Sequence, residues 1–187
     1  NPLIGMFGNW IYIALFVLIF METGLIVFAF LPGESLIFFS STLAAITGST
    51  LDIRILVPVF FFAALIGDTV NYEIGRNLHR FKLFRKLIND HRFAKAHVFF
   101  EKHGGKTVMF GRFMPLIRTF IPLISGSAGM DYKRFSFYNF LGVLLWVLLG
   151  SSLGYFFGQL EFVQEHFSLV FLAVFGFGIL SGACVAL

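Results

Sequence analysis

Five ionisable side chains, Glu22, Glu34, Asp68, Arg112 and Arg118, fall within or at the edge of long apolar runs. At the centre of a bilayer each would cost about 2.5–3.5 kcal/mol even on lenient insertion scales. Five unpaired groups would be prohibitive, whereas three acids and two bases can neutralise one another around a polar cavity, and that cavity is where function is expected. Arginine stays charged when desolvated and its planar fork matches a phosphate bidentately, so Arg112 and Arg118 suit an anionic headgroup. They stand six residues apart, on different sides of an unbroken helix, and Pro115 between them permits convergence. Glu22 and Glu34 have the complementary ability: a carboxyl group withdrawn from water can load and release a proton. The plainer reading is that all five are ion pairs that bolt helices together.

The rest of the chain must hold these groups in a membrane. Of its 187 residues 58% are hydrophobic and only 13% charged, too little polar surface to cover a soluble globule of this size. A disordered tail, a collagen-like rod and a disulfide scaffold are excluded by the same composition. Cys184 is the single cysteine, so no internal disulfide forms. The net charge is +4, and nine Lys and Arg lie between Arg76 and Lys106 with only Asp90 and Glu101 against them. Beside bilayer-length segments such a stretch marks a cytoplasmic loop facing anionic lipid, not a nucleic-acid surface. Phe81, Phe84, Leu87 and Ile88 recur there at helical spacing, which predicts amphipathic helices in the headgroup layer. The apolar stretch that follows Asn1 is longer than a signal-peptide core and has no small-residue cleavage pattern, so it is expected to remain as structure.

Runs of about 20 apolar residues mark spans. They divide a single all-α membrane domain, 1–187, into a first span and hairpin at 10–50, a span at 53–75, the basic region at 76–106, a second hairpin at 107–130, and spans at 135–160 and 167–187. The two hairpins combine shortness or helix breakers with charge. Pro32-Gly33 opens the first; Pro115, Pro122 and Gly126 punctuate the second. Non-helical backbone at membrane depth survives only around protein or a water-filled cavity, so both read as re-entrant, beside about four transmembrane helices. The positive-inside rule places both termini in the cytoplasm, runs the first span outward and 53–75 inward, and brings the hairpins in from opposite faces. That is the pattern of an inverted-repeat transporter.

Other motifs carry no chemistry. Gly150-Ser151-Ser152-Leu153-Gly154 fits G-x-S-x-G, but the motif needs a strand-turn-helix setting and here lies in a span. Gly150, Gly154 and Gly158 form a small-xxx-small ladder that allows close helix packing and permits a homodimer. His91, His97 and His103 recur every six residues and scatter around a helix, which does not assemble a metal site. There is no Walker loop or dinucleotide fingerprint. No catalytic residue, metal or cofactor is expected.

Several motifs resemble the DedA family of bacterial membrane proteins, which shares its core domain with the eukaryotic SNARE-associated, or VTT, proteins. They are Glu22 with Phe30-Leu31-Pro32-Gly33-Glu34-Ser35; Gly67-Asp68 with Tyr72, Gly75 and Arg76; Phe100-Glu101-Lys102-His103-Gly104; and Gly111-Arg112-Phe113-Met114-Pro115-Leu116-Ile117-Arg118-Thr119-Phe120-Ile121-Pro122 with Ala128-Gly129-Met130. The R-F-x-P-x-x-R-x-x-x-P run is the specific part. The resemblance implies lipid transport at the bacterial cytoplasmic membrane: proton-coupled return of undecaprenyl phosphate to the cytoplasmic face, with other members linked to phospholipid distribution. Carried over, Glu22 and Glu34 match the family's essential acids and Arg112 and Arg118 its arginines, while Asp68 matches a position of less certain role. Where the family often continues G-R-x-x-G, this chain has Gly75-Arg76-Asn77-Leu78-His79, which leaves the substrate open. An energy-independent scramblase of phospholipids such as phosphatidylethanolamine and a small proton or cation antiporter remain alternatives. A lipid phosphatase would need a nucleophile or metal cluster that the sequence lacks.

Overall fold

The computed structural model describes residues 2–25, 33–46, 51–77, 98, 102, 104–113 and 118–165. Most of the basic stretch 76–106, the turn prolines Pro32 and Pro115, and the span expected at 167–187 lie outside them. Every regular element among the described residues is helical: α1 (Pro2–Gly24), α2 (Gly33–Ala45), α3 (Ile53–Arg76), α4 (Gly105–Phe110) with a 3-10 turn at Gly111–Phe113, α5 (Phe120–Ser127), α6 (Tyr132–Gly158) and α7 (Glu161–Glu165). At 1.5 Å per residue α3 and α6 are about 36 and 40 Å long, enough to cross a hydrocarbon core of about 30 Å. By the same measure α2 and α5, about 20 and 12 Å, are too short.

Local chemistry fixes the ends of the long helices. Asp52 caps α3 by accepting from Arg54 N at 2.8 Å, and Asp131 caps α6 by accepting from Lys133 N and Arg134 N at 3.1 and 3.3 Å. Between α5 and α6, Met130 N donates to Ser125 O at 3.0 Å and Gly129 N to Gly126 O at 3.2 Å, a Schellman ending. Its left-handed position is taken by Gly129, at φ +71°, where no Cβ penalty applies.

Contacts between helices give their directions. Asp52 N donates to the Tyr12 hydroxyl at 2.8 Å, and further along Gly24 abuts Gly67, so α1 and α3 run the same way. Tyr72 stacks on Phe135 at 4.4 Å while Phe61 meets Phe140 at 5.3 Å, so α6 runs opposite to α3. Gly150, Gly154 and Gly158 of α6 face Ile37, then Phe38 and Ser41, then Thr42 and Ala45, which makes α2 parallel to α6. In the same way Gly105 meets Tyr138 and Met109 meets Gly142, so α4 also follows α6. Finally α5 crosses α3 where Gly75 meets the Leu123 carbonyl and Gly126 the Tyr72 carbonyl.

Two units of like build result, α1-α2-α3 and α4-α5-α6, pointing in opposite directions. In each, a helix runs in beside its own long helix and a short helix returns along the long helix of the other unit. The two units run in opposite directions beside one another. The first span was expected to run against 53–75, whereas α1 runs the same way as α3 and α2 follows α6. Charge bias reports where segments end, and the run Leu3–Leu31 reads as unbroken across a helix that stops at Gly24. Glycines occupy most of these seams, as expected where helices gain no hydrophobic drive from lipid and must pack by close approach. The ladder of α6 is filled by α2 of the same chain, and Thr42 Oγ1 donates across it to Gly154 O at 2.9 Å.

Buried apolar residues form two clusters. One gathers Ile19, Ile37, Leu56, Phe60, Val143 and Val147; the other gathers Tyr72, Val108, Ile121, Leu123, Ile124 and Phe135. Along α1, α3 and α6 the residues between or beyond the two sets are Glu22, Asp68 and Asn139, so a polar layer separates them.

Candidate functional site

The polar layer lies where the tips of the two units meet. The first tip carries Glu22 and Thr23 at the end of α1, then Gly33 and Glu34 at the start of α2. A side chain at position 33 would occupy the place of the Glu22 carboxylate, which is why glycine stands there. The second tip carries Arg112 in the 3-10 turn and Arg118 just before α5. The tight turn sends Arg112 inward, 8% exposed, while Phe110 and Phe113 on either side face outward.

The arginines pair across the seam. Arg118 is a fork: Nη2 bonds Glu22 Oε1 and Nη1 bonds Glu34 Oε1, the latter at 3.0 Å. Its two acids differ in setting, since the Glu22 side chain is fully buried and that of Glu34 is 52% exposed. Arg112 directs both terminal nitrogens to Asp68 Oδ2, Nη1 at 2.9 Å. The sequence reading set acids and arginines apart by role; the structure interlocks them, and it places Asp68 as firmly as the two glutamates. Three acids and two arginines leave the layer at −1 when all are ionised.

Residues without charge complete the site, and the sequence reading missed them. Trp146 of α6 has both guanidinium carbons near its ring, Arg112 Cζ at 5.3 Å and Arg118 Cζ at 5.2 Å from the centroid, within cation–π range. Asn139 lies two helical turns before it on the same face of α6. Asn71 Nδ2 donates to Thr23 O at 3.3 Å and to Thr119 O at 2.8 Å, tying both tips to α3. A polar residue in a spanning run, or an Asn and a Trp seven apart, was the available signal. Two small cavities adjoin the arginines. Thr23, Asp68, Thr119 and Trp146 line one; Asp68, Val108, Ile121, Pro122 and Asn139 line the other. Each has room for little more than a water molecule.

The remaining sequence candidates divide. Pro122 lines a cavity and Gly33 backs Glu22, but Tyr72 stands apart: its hydroxyl donates to Met130 O and its ring stacks on Phe135, so it braces the base of the second unit. Ser152, the serine of the G-x-S-x-G match, sits exposed inside helix α6.

Residues 31–156 match the VTT domain. The chain is 43% identical over 184 residues to protein DedA of Escherichia coli K12, covering 96% of this chain and 84% of that one. It is 36% identical over 200 residues to the inner membrane protein YqjA of the same organism, covering 100% and 87%. An uncharacterized membrane protein of Mycobacterium tuberculosis is 36% identical over 174 residues, covering 91% and 76%. No solved structure matches. A helical membrane protein whose tips bring Glu22, Glu34 and Arg118 together, matched over most of its length, belongs to the VTT-domain, or DedA, family.

Proposed function

We propose that this protein moves a lipid with a phosphate headgroup across the bacterial cytoplasmic membrane, with undecaprenyl phosphate as the substrate and protons as the coupled ion. The observation that carries the reading is the Arg118 fork: a guanidinium suited to phosphate is held by two carboxylates from the opposing tip. A phosphate and the carboxylates therefore compete for one cation. Protonation of Glu22 or Glu34 releases a fork position that a phosphate oxygen can take. Because the layer already stands at −1, an anionic headgroup enters at low cost only when protons enter with it. The lipid chain stays in the bilayer, so only the head needs a polar path.

In this reading α3 and α6 cross the membrane, and α1-α2 and α4-α5 are re-entrant from opposite faces. With the basic stretch 76–106 in the cytoplasm, the parallel course of α1 and α3 puts the Tyr12 end of α1 on the outer side, the reverse of the charge-based expectation. Cavities too small for a phosphate mark a closed site, and the tips part to admit the head from either face.

The test is movement of undecaprenyl phosphate in proteoliposomes with and without a pH gradient, with phosphatidylethanolamine as competitor. Gradient-driven movement of the polyprenyl lipid, lost in Arg118→Ala while the helical content is kept, is expected. Normal movement in Arg118→Ala removes the phosphate clamp, and equal, gradient-blind movement of both lipids makes the protein a scramblase.

A further inference from the structure

The tightest seams of the molecule do not follow its two units. Along α3, Gly24 of α1 lies against Gly67, while Gly75 meets the Leu123 carbonyl and Gly126 the Tyr72 carbonyl, which fastens α5 to the same helix. Along α6, Gly142 faces the Met109 backbone, and Gly154 and Gly158 face the Phe38 and Thr42 carbonyls, which fastens α4 and α2. Each long helix therefore carries one short limb from its own unit and one from the other. Hydrogen bonds between helices follow the same division. Tyr12 with Asp52, and Asn71 with Thr23 and Thr119, stay within α1-α3-α5, and Thr42 with Gly154 stays within α2-α4-α6. Where these two sets meet, the contacts are of another kind. Gly33 and Gly111 face side chains there, Glu22 and Ile121, and Phe61 of α3 meets Phe140 of α6 ring on ring. Backbone packed on backbone cannot shear without losing its fit, whereas apolar side chains can slide and pack again. Among the described residues the ion pairs that cross the boundary are Arg112 with Asp68 and Arg118 with Glu34, and Asn139 of α6 also reaches Asp68. Trp146 touches both arginines through its ring face, a contact with no fixed bonding direction.

We propose that the moving parts of this protein are two interleaved bodies, α1-α3-α5 and α2-α4-α6, and that Asp68 and Glu34 form the latch that holds them closed. The inference deepens the transport reading and rests on it. The parting that admits a headgroup then runs through each tip, with Glu22 and Arg118 on one side and Glu34 and Arg112 on the other. A rocking of unit on unit would instead have to open the glycine seams that join α2 to α6 and α5 to α3. Neutralising the two latch carboxylates, by protons or by a phosphate that displaces them from the arginines, frees both crossing ion pairs. Arg112 and Asn139 are the groups that reach Asp68, with Arg118 bordering the same cavities, and Arg118 is the group that reaches Glu34. Glu22 has a different part. Its pair with Arg118 lies inside one body, held by Asn71, whose amide donates beside each of them, to Thr23 O and Thr119 O. Glu22 therefore keeps Arg118 in place while Glu34, the half-exposed acid on the other body, lets go.

The test is double electron–electron resonance on the purified full chain in nanodiscs, in a Cys184→Ser background, with nitroxide labels on Leu43→Cys paired with Phe137→Cys or with Ile13→Cys. All three positions are exposed. The Leu43–Phe137 pair joins the two units within one body, and the Leu43–Ile13 pair joins the two bodies within one unit. Neutralising the latch with Glu34→Gln, Asp68→Asn or both is expected to shift or broaden the Leu43–Ile13 distance by several ångströms and to leave Leu43–Phe137 unchanged. Circular dichroism checks that each variant is folded; Glu34→Gln, which leaves Arg118 its buried Glu22, supplies the test should Asp68→Asn not fold. Movement of the Leu43–Phe137 pair means that the seam between α2 and α6 opens, and overturns the proposal. Two unmoved distances in folded latch variants overturn it as well. A Glu22→Gln variant that parts the bodies as Glu34→Gln does refutes the division of labour between the two acids. Farnesyl phosphate, a short polyprenyl phosphate, is then added to the chain with its native acids. Bodies that part on neutralisation, yet neither respond to this probe nor move lipid in proteoliposomes, refute the phosphate reading and leave the two-body architecture standing.

Discussion

Glu22 and Glu34 hold the same guanidinium, but their removal should cost the fold very different amounts. Glu22→Ala takes away a partner that is fully buried from an arginine that is 10% exposed, and leaves Arg118 with only the half-exposed Glu34. Stripping one member from a buried pair costs about 3–5 kcal/mol; the surviving contact puts this case near the low end, about 3 kcal/mol. Glu34→Ala removes the exposed contact, in the range of about 0–1 kcal/mol for surface pairs. If the loss is one of stranded charge, Glu22→Leu combined with Arg118→Met should recover most of it, because the cost lies in leaving one ion alone. Titration of the detergent-solubilised protein with sodium dodecyl sulfate, read by loss of helical circular dichroism, gives each variant's unfolding free energy and the coupling between the two sites. Equal destabilisation by the two single alanine variants, or a double variant whose loss is the sum of its parts, would refute the claim that Glu22 and Arg118 are one buried unit. Transport should fail in both single variants, which separates the stability difference from function.

Two further outcomes bear on the packing and on the arginines. Gly154→Val should destabilise by about 1–3 kcal/mol, because its side chain would strike the Phe38 carbonyl and Ser41, whereas Gly150→Ala meets only the Ile37 Cγ2 methyl at 3.2 Å and should be mild; melting temperatures in detergent compare them. Trp146→Leu removes both cation–π contacts, worth about 0.5–2 kcal/mol each, and Trp146→Phe keeps a weaker ring, so affinity for farnesyl phosphate should fall in the order Trp, Phe, Leu.

What the sequence disclosed and what it hid have physical causes. Glu22, Glu34, Asp68, Arg112 and Arg118 were legible because charge in an apolar run is costly enough to demand a reason. Their partners were not. The pairs Arg118–Glu22 and Arg112–Asp68 join residues 96 and 44 apart, and spacing along one segment carries no information about such distant matches. Asn139 and Trp146 escaped because they are neutral and cost a span little, although they stand on the same face as the charges. The all-helical architecture was legible in the apolar runs, but charge bias gave α1 a direction opposite to its parallel course beside α3. The glycine ladder was read correctly as a packing surface, but α2, too short to span alone, was not recognised as the helix that fills it.

The swapped arrangement of the short helices has a consequence in time. The ribosome delivers Glu22 and Glu34 long before Arg118, which follows them by 96 and 84 residues. At roughly 5–20 residues per second the acids wait about 4–20 s for their cation. The helix that α2 must lie against, α6, comes later still. The first unit is therefore made with its charges and α2 unmatched, and neither half can finish alone; the site exists only from the moment the second half arrives to close it.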